Sequence, residues 1–238
     1  MSSLPETDTG RVRPRWGLGA AALAFAVGYA AAAIGASIAV LTTGAGPYDT
    51  LTVTLSLIGL WLGFAGIPVL LSRTRGTRRM GRDFGLRVGG PADLGLGVAG
   101  GLLAYGLVEV YGVVLSQFDH VDLGKGTEKL AGHGLGFGFL VFALAVTVGA
   151  PICEEIFFRG LVQPSLQRHI GGLGGLVTTA ALFGLLHVGD NPPEAAVPLA
   201  VFGLIVGALA WRTGRLGPGI IAHMTFNGIT VVTLALTR

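Results

Sequence analysis

Residues 16–41 read WGLGAAALAFAVGYAAAAIGASIAVL, and no charged side chain occurs between Arg15 and Asp49. At 1.5 Å per residue a helix of this length reaches about 39 Å, enough to cross a hydrocarbon core of about 30 Å. Lipid offers the backbone no hydrogen-bond partners, so a run this apolar closes its own bonds as a helix. The same pattern recurs at 51–72, 93–116, 136–163, 173–188, 195–212 and 216–236. The reading is an all-α fold: a multi-pass transmembrane helical bundle of seven spans, or of six or eight if a segment is re-entrant or split.

Composition agrees. Hydrophobic residues make up 51% of the chain and charged residues 12%, against about 25% charged in a soluble domain. The mean hydropathy is +0.70. No polar region is long enough for a second soluble domain, so residues 16–238 are expected to form one membrane-embedded unit. Residues 1–15, with Pro5, Pro14 and three arginines, read as a disordered tail. The first apolar run exceeds the 7–15 residues of a signal-peptide core and is expected to stay as an anchor. Pro151 lies inside the long fourth run, where a proline removes one helical bond, so a kink is expected there. The weight of Ala, Gly, Val and Arg over Lys points to a GC-rich bacterial genome.

Basic residues set the expected orientation. Arg73, Arg75, Arg78, Arg79, Arg82 and Arg87 fall between spans two and three, Arg168 after the fourth, and Arg212 and Arg215 after the sixth. The alternate loops 42–50 and 189–194 have no Lys or Arg, and 117–135 has only Lys125 and Lys129. By the positive-inside rule the amino terminus lies in the cytoplasm and the carboxyl terminus outside the cell membrane. Topology accounts for the arginines without a nucleic-acid partner, and anionic lipid headgroups are their nearer company.

Ionisable side chains at membrane depth are costly, and they mark candidate function. They gather in PICEEIFFRGLV, residues 151–162. Glu154 and Glu155 point about 100° apart on a helix. Glu155 and Arg159 stand at i and i+4 in the order that favours an ion pair. Glu154 is then left without a local partner. Burial without a partner makes a carboxylate more basic, which is what a general base near neutral pH requires. FGLLH places Phe183 and His187 one turn apart, and HMTFN places His223 and Asn227 on one face of the last helix. A histidine can hold a water beside a carboxylate, and a histidine with an asparagine can donate to a developing oxyanion.

These three pieces, in this order and on separate apolar helices, resemble the CPBP family, the CAAX proteases and bacteriocin-processing enzymes also called Abi, which are intramembrane glutamic endopeptidases. The family pattern is Glu-Glu-x-x-x-Arg, Phe-x-x-x-His and His-x-x-x-Asn, and the match spans about 137–238. The resemblance implies a peptidase in which Glu154 activates the hydrolytic water and His187 helps to hold it. His223 and Asn227 would form the oxyanion hole. Glu155 would share in catalysis, with Arg159 and Phe183 in support. It implies no metal and no cofactor, and a substrate that is a peptide or a membrane-anchored protein.

Other readings compete for these residues. Glu154, His187 and His223 could form a zinc site, although there is no His-Glu-x-x-His pair. The chain could be a non-catalytic scaffold or an immunity protein. A transporter would need a polar path across both leaflets, and no inverted repeat is evident. Cys153 reads as a small buried hydrophobe rather than a nucleophile. Glu109, one turn after Tyr105, reads as an interhelical polar contact. His120, His133 and His169 fall near loops with no assigned role. The glycines at 132–138 lack the Gly-Lys-Ser/Thr ending of a P-loop and are expected to permit close helix packing. One geometric conflict stands: counted from residue 173, His187 lies about 21 Å along its helix, so it meets Glu154 only if that helix starts later, tilts strongly or packs against a longer fourth helix.

Overall fold

The computed structural model describes residues 16–118, 123–132, 134–189 and 191–238. The tail 1–15, His120 and His133 lie outside the described residues. The chain is an all-α, multi-pass helical bundle. Its helices are α1 (Leu18–Thr43), α2 (Thr50–Arg75), the short α3 (Met80–Asp83), α4 (Pro91–Leu115), α5 (Lys125–Ala131), α6 (Phe137–Ile170), α7 (Gly172–Leu186), α8 (Pro193–Thr213) and α9 (Gly217–Leu236). Six of them are long and apolar enough to cross a membrane. The seventh expected span is α7, with 15 residues and about 22 Å of length.

α1 and α2 pair through small residues. A Cβ on Gly63 would lie 2.2 Å from the Ala24 carbonyl oxygen, and one on Gly59 would lie 2.4 Å from that of Ala31. Lipid gives helices no hydrophobic reason to associate, so close backbone approach supplies the attraction. The glycines at 132–138 work differently from the expectation. Gly132 and Gly134 have positive φ and turn the chain, and a Cβ on either, or on Gly136, would meet nothing within 4 Å. Of the described glycines in that stretch, only Gly138 packs closely, against Thr50.

α6 does not break at Pro151. It runs from Phe137 to Ile170 with two widened π-helical segments, Ala145–Gly149 and Ile156–Val162. A proline in an α-helix collides with the carbonyl four residues back. Here the first widened segment lies directly before Pro151 and takes up that conflict. The helix also continues seven residues past the expected end at 163, because Gln163 and Ser165 are buried rather than solvated, at 2% and 0% exposure. α6 and α7 then form a tight antiparallel hairpin about Gly171, which has φ 80°.

One end of the bundle is stitched together by the loops. Trp16 stacks on Phe84 at 4.7 Å, and its carbonyl accepts from Arg168 at 2.7 Å. Asp83 is buried and accepts from Ser72 Oγ and from the backbone and side chain of Thr77. Asp93 takes a bidentate bond from Arg215, at 2.8 and 2.6 Å, which raises the Arg215 guanidinium further. The Leu216 and Gly217 amides donate to the carbonyls of Gly85 and Arg87. This is the arginine-rich end.

Candidate active site

Glu155, Arg159 and His223 form the buried centre of the bundle. Arg159 Nη1 donates to Glu155 Oε1 at 2.9 Å, and both side chains are fully buried. The same oxygen lies 3.1 Å from His223 Nδ1. The expected i, i+4 pair is therefore present, and it also reaches across to α9. Arg159 Nη2 donates to the Gly203 carbonyl on α8 at 3.2 Å, and its guanidinium lies over the Phe183 ring at 4.6 Å. Four helices thus converge on one ion pair.

Glu154 faces the other side of the same histidine. Its Oε2 lies 4.0 Å from His223 Nε2, beyond hydrogen-bond distance. That oxygen is buried and has no hydrogen-bond partner among the described residues. The side chain as a whole keeps 14% exposure. One imidazole therefore stands between two carboxylates, bonded to one and separated from the other by a gap that a bridging water can span.

His187 joins this cluster through Phe183. Its ring lies 4.5 Å from the Phe183 ring, which meets His223 at 5.9 Å. Its Nδ1 donates to the Phe183 carbonyl at 2.7 Å, which fixes the imidazole against its own helix. The depth conflict disappears once the hairpin turn is placed at Gly171 rather than near 163. Residues at nearly equal distances from Gly171 along the chain face one another, so Phe158 meets Phe183 at 5.1 Å. By the same count His187 stands level with Glu155. Across the site, the turn before α9 is sunk into the bundle: a Cβ on Gly160 would touch both Phe84 and Leu216 at 3.4–3.5 Å. That places His223, two turns later, level with Glu155 as well.

Asn227 lies one turn beyond His223 and donates through Nδ2 to the Val146 carbonyl at 2.8 Å. Val146 belongs to the first widened segment of α6. An amide nitrogen carries two hydrogens, so the bond orients Asn227 and leaves one donor.

Three contributors are absent from the sequence motifs. Phe202 on α8 packs its ring 4.8 Å from His223. Gly203 and Gly207 present carbonyls to Arg159 and Gln163, the latter at 3.0 Å. The recurrence of Arg159, Gln163 and Gln167 every fourth residue was a legible signal of a polar stripe. Phe183, expected as support, is 1% exposed and touches Phe158, Phe202, His187 and His223. It is the hub of the site.

The remaining candidates stay apart. Cys153 is a half-buried free thiol within the core. His169 bonds the Ser165 carbonyl at the end of α6. Tyr105, rather than Glu109, reaches another helix: it lies 3.5 Å from Thr233 Oγ1 on α9 and packs on Phe226, while Glu109 interacts with Tyr105 along their own helix. Glu154, His187 and His223 are not gathered as a three-ligand set, and no such group of His, Cys, Asp or Glu occurs among the described residues.

All three motifs fall inside one region that comparison with known families picks out. Residues 136–229 match the family model of Rce1-like type II CAAX prenyl endopeptidases. The resemblance read from the motifs holds. The Rce1-like region runs from the start of α6 to the middle of α9 and contains each residue of the cluster. It supports the reading of this multi-pass membrane protein as a protease of the CAAX type. Searches of the curated proteins and of the solved structures returned no significant match.

Proposed function

We propose that the chain is an intramembrane glutamic peptidase that hydrolyses a peptide bond in a membrane-anchored substrate. The observation that carries this is His223 suspended between Glu155 and the unpartnered Glu154. In this reading a water bound by Glu154, with help from His187, attacks the scissile carbonyl carbon. Glu154 takes one proton from the water as the new carbon–oxygen bond forms. The carbonyl oxygen becomes an oxyanion that accepts from His223 Nε2–H and the second Asn227 hydrogen. An imidazolium donates from both nitrogens, and the mechanism asks this of His223, whose Nδ1 lies against Glu155 Oε1. Collapse of the intermediate breaks the carbon–nitrogen bond, and Glu154 returns the proton to the leaving amine. Arg159 balances the charge of Glu155 throughout.

The arginine-rich end faces the cytoplasm in this proposal, so the amino terminus is cytoplasmic and the carboxyl terminus outside. Residues 16–238 act as one unit with its catalytic core at about 137–238. The mechanism asks for no metal or cofactor. If the genome is bacterial, bacteriocin precursors and other membrane-anchored peptides fit better than prenylated proteins.

The test is the purified full chain with a peptide library in lipid nanodiscs. Glu154→Gln removes the base and should lower kcat by about 10²–10⁴-fold. Asn227→Ala removes one oxyanion donor and should cost about 10²–10³-fold. Cleavage by Glu154→Gln at the wild-type rate would rule out the glutamate mechanism.

A further inference from the structure

The Val146 carbonyl lacks a regular donor within its own helix. In an α-helix it would accept from the amide four residues on, but Ala150 donates to Ala145 across the widened turn. The π-helical alternative is the amide five residues on. That residue is Pro151, which has no N–H. A bond from Gly149, three residues on, belongs to a tightened turn and not to a widened one. At membrane depth an unbonded carbonyl is costly, so what meets this one is informative.

The donor comes from another helix. Asn227 Nδ2 on α9 lies 2.8 Å from the Val146 oxygen. The widened segment is closely packed around this bond. A Cβ on Gly228, the next residue of α9, would lie 3.6 Å from Thr147 Cγ2, and one on Gly149 would collide with the Trp61 ring of α2. Pro151 itself is buried. A carbonyl can only accept, and only the nitrogen side of an amide donates. The Val146 carbonyl therefore decides which way round Asn227 sits, with nitrogen toward α6 and oxygen turned away. A planar amide fixes its second hydrogen once the first is bonded.

We propose that Pro151 is a positioning residue for Asn227: by denying Val146 a backbone donor, it reserves that carbonyl for the asparagine and holds the amide with its nitrogen toward the reacting carbonyl. A proline that served only to shape the helix would leave the Asn227 bond independent of residue 151. The catalytic part of this inference rests on the peptidase reading given above; the hydrogen bond and its dependence on Pro151 do not.

The test uses the full chain in lipid nanodiscs. Pro151→Ala places an N–H five residues after Val146, where it competes for the carbonyl. Alanine is the better helix former, which offsets the lost ring contacts, so the unfolding midpoint should stay near wild type. Pro151→Val restores the same N–H with more of the ring's bulk and should behave alike. The expected result is a loss of about tenfold in kcat, the scale of one hydrogen bond, at unchanged KM. In an Asn227→Ala background the same change should add nothing, because no amide is left to orient. The chain has two asparagines, Asn191 and Asn227, so ¹⁵N-asparagine labelling gives two side-chain amide signals, and the one missing from Asn227→Ala is Asn227. One of its hydrogens should exchange slowly in wild type and about tenfold faster in the Pro151 variants. Wild-type kcat in both variants, an equal loss in the Asn227→Ala background, or unchanged amide exchange overturns the proposal. If wild type cleaves no peptide, the peptidase reading fails instead, and the amide exchange alone decides the role of Pro151.

Discussion

At the scale of single residues, the structural and functional parts of the buried ion pair can be separated by experiment. Arg159 is buried and holds Glu155, so Arg159→Met leaves a buried carboxylate without its arginine and with His223 as its one remaining partner among the described residues. Breaking one member of such a pair costs about 3–5 kcal/mol, and the unfolding midpoint in detergent should fall accordingly. Replacing both members, Glu155→Met with Arg159→Met, removes the desolvation penalty of each charge and should recover much of that stability. Activity should not return, because His223 loses the carboxylate at Nδ1. A double variant that is both stable and active would show that the pair is a structural pin alone. The split between Glu154 and Glu155 was legible in the sequence, because i, i+1 and i+4 relations are local and survive any packing. The second role of Glu155, reaching His223 across 68 positions of chain, was not, because no local rule assigns partners between helices.

At the scale of elements, α6 decides where the site lies. Its apolar run, 136–163, stops at the polar residues Gln163, Ser165 and Gln167. Gln163 and Ser165 are buried instead, Gln163 against the Gly207 carbonyl of α8, and the hairpin turn moves to Gly171. That displacement is the whole of the depth conflict over His187. Gly175 makes the hairpin tight, since a Cβ there would lie 2.5 Å from the Gln167 backbone nitrogen. Gly175→Leu should force α7 away from α6, separate His187 from the cluster and abolish turnover. A cysteine crosslink engineered between α6 and α7 should form in wild type and fail in this variant. The α1–α2 pairing makes a similar demand. Gly63→Leu drives a side chain into the Ala24 carbonyl, and the two helices should no longer co-purify when expressed as a split chain.

At the scale of the whole molecule, the stitched arginine-rich end closes the bundle beneath the site. Phe84 is fully buried between Trp16 and the Gly160 face of α6. Phe84→Ala should cost about 3–5 kcal/mol, the range for emptying a phenylalanine site, read as a lower unfolding midpoint. The orientation is testable separately: alkaline phosphatase fused after Arg238 should be active, and the same reporter placed at Arg78 should be inactive. The all-α class and the six long spans were readable from apolar runs alone, since lipid enforces them, whereas the seventh expected span is the shorter α7. The loop that folds back as a cap was not, because its arginines announce topology and conceal that Asp83, Phe84 and Asp93 point inward.

The widened turns of α6 have a consequence for how this chain tolerates changes in length. A π turn holds one residue more than an α turn. Losing one residue from 145–149 lets that turn close into an ordinary helix while both flanks keep their angular phase. The same deletion elsewhere in the helix rotates everything beyond it by about 100° and turns Glu154 away from His223. The segment beside the site is thus a slip joint: a one-residue deletion there slides the outer half of the helix along its axis and leaves the two glutamates aimed as before.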